Sequence, residues 1–149
     1  MPVLAPTFTP GMRAAVANDG VIMRPHLVRK VTSSDLEVID EPGPEQLSQA
    51  ISADTASALT RMMQAVVRSG TGTAAQISGV SVAGKTGTAQ HGDGEAPHAW
   101  FTGFAPADGK ARVAVAVVVE DGGSLGNEAV GGRVAAPIAK AVMEAVLGK

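Results

Sequence analysis

The sequence predicts an α+β fold: an antiparallel sheet packed against helices, one of them C-terminal. Three observations lead there. The second two-thirds of the 149 residues reads in the order helix, three strands, helix. The last two strands are joined by residues 106–110 alone, the length of a hairpin turn, where a parallel crossover takes a dozen residues or more. Composition is that of a packed chain, with 45% hydrophobic and 17% charged residues, too apolar for disorder. No internal repeat or linker divides it.

The elements follow in order. Three prolines in residues 1–10 indicate extended chain. A short helix is expected over residues 12–18, ended at Asp19 and Gly20, where glycine tolerates the left-handed turn. Residues 26–32 and 36–39 read as strands about a turn at Ser33, Ser34 and Asp35, and residues 40–48 as an acidic, Pro-containing loop. Ser52 is placed to cap a helix whose apolar residues Ala56, Leu59, Met62, Met63, Val66 and Val67 recur at helical spacing, and Gly70 stops it. Residues 80–89, 99–105 and 111–120 read as three strands. After Gly131 and Gly132 a last helix is expected to bury Val134, Ile138, Ala141, Val142 and Ala145.

Several function classes drop out. With 3% aromatic residues, a net charge of −2 and no basic stripe, nucleic acid is not an expected partner. The absence of cysteine removes disulfides and thiolate metal sites. His91 and His98 have no acidic third ligand at suitable spacing, so no metal site is expected, and no residue set calls for a cofactor. No run approaches the roughly 20 apolar residues of a membrane span. The start carries neither a secretory signal pattern nor an anchor.

One segment carries chemistry, and it supports two readings. Gly79, Gly84, Lys85 and Thr86 fit the P-loop pattern G-x-x-x-x-G-K-[ST]. A P-loop joins a strand to a helix that holds phosphates at its N-terminus, yet Gly87, Gly92, Gly94 and Pro97 follow, where no helix starts. The alternation of Val80, Ser81, Val82 and Ala83 is strand-like, which suits the second reading. Here Lys85-Thr86-Gly87 is the K-T-G element of an edge strand beside an active-site groove.

The surroundings extend that match. Ala83-Gly84-Lys85-Thr86-Gly87-Thr88-Ala89 resembles the K-T-G strand of class B penicillin-binding proteins, in the manner of their actinobacterial group. Gly70-Thr71-Gly72-Thr73-Ala74 is similar to the segment preceding it in that family. Ala99-Trp100-Phe101-Thr102-Gly103-Phe104-Ala105-Pro106 is similar to the strand that follows. Ala17-Asn18-Asp19-Gly20 and Ala129-Val130-Gly131-Gly132 also match, so the likeness covers residues 14–149 and leaves 1–13 poorly matched.

The resemblance implies the C-terminal part of a D,D-transpeptidase domain of the β-lactamase/transpeptidase-like fold, acting in peptidoglycan cross-linking on the outer face of the cytoplasmic membrane. Lys85 and Thr86 would bind the carboxylate of a stem peptide or a β-lactam. Gly87 would allow close backbone approach, and the Thr88 N–H would be one oxyanion-hole donor. The family also needs Ser-x-x-Lys and Ser-x-Asn, and no serine from Ser33 to Ser124 has either spacing. The nucleophile is therefore absent, and the sequence predicts a chain that is inactive alone. It is expected to expose apolar surface, and to have the N-terminal part of the domain as a potential partner. The non-enzymatic alternative is a D-Ala-D-Ala or β-lactam-binding remnant. Thr71 and Thr73 are expected to shape a turn and cap a helix, and Trp100 to wall the core or groove.

Overall fold

A computed structural model describes residues 14–149. The Pro-rich start and the first residues of the expected helix lie outside that range. Residues 14–16 are helical, and the chain reverses at Asp19 and Gly20, with φ of 51° and 87°. Glycine is needed at position 20, because a Cβ there would overlap the carbonyl oxygen of Ile51.

Two small antiparallel pairs follow. β1 (Val21–Met23) pairs with β4 (Gln46–Gln49), and β2 (Val31–Thr32) with β3 (Val38–Asp40). The β2–β3 hairpin is the predicted one, with shorter strands. The β1–β4 pair corrects the expected loop over residues 40–48. β4 is exposed throughout and has Leu47 as its one apolar residue, so no apolar alternation announces it. Backbone pairing with β1 holds it instead, and the Gln49 side-chain amide donates to the carbonyl of Asp19 at 3.0 Å.

Helix α1 (Ala53–Ser69) starts where the capping residue places it: the Ser52 hydroxyl accepts the Thr55 N–H at 3.2 Å, satisfying one of the donors a helix start leaves free. At the other end the Gly70 N–H reaches the Val66 carbonyl. Ala56 and Val67 are buried, with Leu59, Met63 and Val66 half-buried. Met62, predicted on that face, is 62% exposed; at about 100° of helix per position it falls beyond the edge of the stripe centred on Ala56 and Met63.

The body is a three-stranded sheet, β5 (Ala83–Ala89), β6 (His98–Ala105) and β7 (Val113–Val119), antiparallel in the order β5-β6-β7. β5 begins later than predicted because Ile77 and Val80 bridge across a tight turn with Gly79 at φ 72°. β6 is central and almost wholly buried. The ring of Phe101, fully buried, occupies the space that two glycines leave. A Cβ on Gly84 would stand 2.9 Å from its Cε2, and one on Gly103 would stand 3.0 Å from its Cε1.

Helix α2 (Ala135–Leu147) lies across β6 and β7. It buries Ala135, Ala136, Ala139 and Met143, not the predicted face: Ile138 and Val142 are 46% and 43% exposed, and Ala141 and Ala145 face out with them. Only Lys140 and Glu144 interrupt the apolar surface of this helix, so hydrophobicity leaves more than one face open. Small alanines let its backbone approach the valines of β7, and Met143 fills the remaining gap. The same side of the sheet takes Val67 of α1; the opposite side packs Phe104 and Ala83 with Met63 and Val16. The arrangement is the expected antiparallel sheet with helices, and among the described residues no helix is long and apolar enough to cross a membrane.

Candidate functional site

Among the described residues β5 pairs on one side only, with β6, so its other edge presents free backbone groups. Side chains alternate across a strand, and Thr86 and Thr88 therefore share a side. They line an open cleft of about 640 Å³ together with Thr71, Thr73, Gly131 and Arg133. The cleft lies between the turn that follows α1 and the segment that leads into α2.

Close backbone packing sets its shape. A Cβ on Gly131 would overlap the Trp100 carbonyl oxygen and stand 2.7 Å from the Gly87 oxygen, and a Cβ on Gly132 would overlap the Thr71 carbonyl. The two glycines thus wedge between β5 and residue 71. The Thr71 and Thr86 hydroxyl oxygens are 2.6 Å apart and share a hydrogen bond. Gly87 lies against the half-buried Trp100, whose Cβ would be 3.3 Å from a Gly87 Cβ.

Lys85 is on the same strand but not on the cleft wall. Its side chain is exposed and its ammonium donates to the Thr86 carbonyl. Of the predicted residues, the structure brings Thr86 and Thr88 together, with Gly87 between them and Lys85 on the opposite side. Three contributors escaped the sequence reading. A two-residue step from Thr86 points to the Thr88 side chain. Thr71, expected only to shape a turn, bonds to Thr86 across 15 positions, and Arg133 arrives from the far side of the sheet, with no local signal for either. Among the described residues Arg133 makes only a loose exposed pair with Glu128 at 3.8 Å, a contact weak enough to give way to another anion.

The P-loop reading does not survive this geometry. Lys85 and Thr86 lie inside β5, and the chain after it runs through a loop into β6, with no helix to hold phosphates.

A second cluster stands past the end of β5. His91 and His98 stack with ring centroids 3.9 Å apart, and Asp121 brings a carboxylate oxygen to 3.2 Å from His91 Nε2. The acidic neighbour that spacing failed to supply is thus provided by the turn after β7, 23 positions beyond His98.

Comparison with known proteins decides the family. The profile described as the penicillin binding protein transpeptidase domain matches residues 9–144. The chain belongs to that family. It is 44% identical over 147 residues to the peptidoglycan D,D-transpeptidase PbpA of Mycolicibacterium smegmatis, covering 97% of this chain and 29% of that protein. The PbpA of Mycobacterium tuberculosis is 42% identical over the same share of each. Among solved structures, the ceftriaxone acyl-enzyme complex of M. tuberculosis penicillin-binding protein A superposes with a TM-score of 0.84 at 41% identity, covering 93% of this chain and 31% of that one. The D,D-transpeptidase domain of a peptidoglycan glycosyltransferase from Eggerthella lenta gives 0.77 at 40% identity, covering 93% and 31%. The chain spans less than a third of the length of these relatives. As a member of the transpeptidase family it carries the strand-edge cleft, and its 149 residues hold no Ser-x-x-Lys pair.

Proposed function

We propose that β5 and its cleft are the substrate-holding part of a serine D,D-transpeptidase that cross-links peptidoglycan on the outer face of the cytoplasmic membrane. The observation that carries this reading is the pair of hydroxyls, Thr86 and Thr88, facing an open cleft from a strand edge that is unpaired among the described residues. An extended stem peptide, or a β-lactam in its place, adds to that edge by backbone hydrogen bonds. Its carboxylate is held by Thr86 and by the charge of Lys85, whose four-carbon stem is long enough to swing around the edge. Gly87 lets the ligand backbone come close. The Thr88 N–H serves as one oxyanion donor, a role worth about 2.7–4 kcal/mol in transition-state stabilisation.

These residues recognise substrate but do not attack it. Acyl transfer needs an activated hydroxyl, and no serine in the sequence has a lysine three positions on. The chain alone therefore binds without forming an acyl-enzyme, and the N-terminal part of such a domain is the partner that would supply the nucleophile.

Two measurements test this. Intact mass after incubation with excess benzylpenicillin should be unchanged; a stoichiometric adduct would show that a serine here is activated without the expected lysine. A D-Ala-D-Ala peptide should bind saturably, and Lys85→Ala should weaken it at least tenfold. Undiminished binding by that variant would remove Lys85 from the site.

A further inference from the structure

The cluster beyond β5 has the donor set and spacing of a metal centre. Register builds it. Ala89 pairs with His98 and Ala99 with Val119, so the first residues past β7 must come alongside the start of β6. Asp121 adopts a left-handed backbone, φ 49° and ψ 37°, which aspartate tolerates better than most residues. Its Oδ1 lies 3.2 Å from His91 Nε2 and 3.7 Å from His98 Nδ1. Donor atoms about 2.0–2.1 Å from a tetrahedral zinc ion are themselves roughly 3.3 Å apart. The three donor atoms all lie within 4.8 Å of one another; the rings are stacked with 20° between their planes, so one imidazole must turn out of the stack for both lone pairs to meet one ion.

Proton accounting points the same way. His91 Nδ1 faces the Glu95 carboxylate at 2.8 Å, while its Nε2 faces the Ala96 carbonyl oxygen at 2.8 Å as well as Asp121. Every one of these neighbours is an acceptor. An imidazolium would donate from both nitrogens and satisfy them all; a neutral imidazole carries one N–H, and with Glu95 taking it the Nε2 lone pair points at two oxygens. A cation among them turns that repulsion into ligation. Glu95 then acts as the carboxylate behind a ligating histidine, the usual outer partner that fixes ring orientation. His98 Nδ1 now accepts the Asp121 N–H at 3.1 Å, an exposed bond that ligation would replace.

We infer that His91, His98 and Asp121 form a site for a first-row divalent cation, zinc by preference, with Glu95 supporting His91. Two imidazoles and one carboxylate suit zinc, whereas magnesium and calcium take oxygen ligands. The ion would fasten the loop over residues 90–97 to the turn after β7. That places it next to the end of β5 that carries Thr88, since Thr88 pairs with Ala99, the neighbour of His98.

The test is titration of the full 149-residue chain with zinc chloride, by calorimetry and by thermal unfolding. One saturable site and a raised Tm are expected, with no effect from magnesium. His91→Ala and Asp121→Asn should each weaken binding at least tenfold, and Glu95→Gln by about tenfold. The third histidine, His26, lies in the exposed segment before β2, and His26→Ala should leave binding unchanged. Asparagine also accepts the left-handed conformation, so Asp121→Asn keeps the turn; far-ultraviolet dichroism without zinc checks that each variant is folded. No saturable binding, or binding untouched in the folded Asp121→Asn variant, would overturn the site and leave the cluster an ion pair between histidine and carboxylates.

Discussion

Residues 21–50 and residues 53–149 are held together by different means. The first region is two short strand pairs with almost every side chain exposed: Leu27, Leu36 and Ile39 are 104%, 80% and 66% exposed. Its order comes from polar contacts, Arg24 with Glu45 at 2.7 Å, and the Ser33 hydroxyl donating to Asp35 at 2.6 Å. The second region buries Phe101 and Met143 completely beneath two helices. Burial of apolar area contributes kilocalories per residue, exposed polar pairs only tenths. The body should therefore carry the stability, and the first region should respond to local changes with little consequence for the rest.

The largest effect should come from Phe101→Ala, which empties the space between Gly84 and Gly103. A loss of about 3–5 kcal/mol is expected in urea unfolding, and a loss below 1 kcal/mol would mean that the sheet is not the stabilising unit. Ser52→Ala removes the cap of α1, the helix that joins the two regions, and should cost about 1 kcal/mol. Arg24→Ala should change global stability by less than about 0.5 kcal/mol; a body-sized effect there would erase the distinction between the regions.

The smallest effect is a titration. The Ser33 hydroxyl, and then the Asp35 backbone N–H, hold the Asp35 carboxyl below the usual carboxylate range. The folded turn thus favours the ionised form, and its contribution is complete above that range and lost as pH falls through the lowered value. In an NMR pH titration Ser33→Ala should raise the Asp35 value toward the usual range, with the β5–β7 signals unmoved.

The same division governs what was legible in the sequence. Where one face is buried, the pattern could be read: β6 and β7 fall within a residue or two of expectation, and Ser52 caps its helix. Where pairing is polar, as in β4, nothing in the residue types distinguishes a strand from a loop. α2 shows a subtler limit, since most of its circumference is apolar and side-chain size selected the buried face. At the site, Thr86 and Gly87 were readable because they sit in one local motif. Thr71, Arg133 and Asp121 reach their neighbours only through strand register and helix packing.

The wedge of Gly131 and Gly132 has a consequence for how this cleft can vary. One wall is backbone pressed on backbone, and substitution cannot trim a peptide carbonyl. Added bulk at either glycine would pry the strand from the segment that feeds α2. Variation in what the cleft admits is thereby channelled into the positions that contribute side chains, among them Thr71, Thr73, Thr86, Thr88 and Arg133. Relatives that differ in ligand preference should differ there, while the glycine pair behaves as a fixed gauge of the opening.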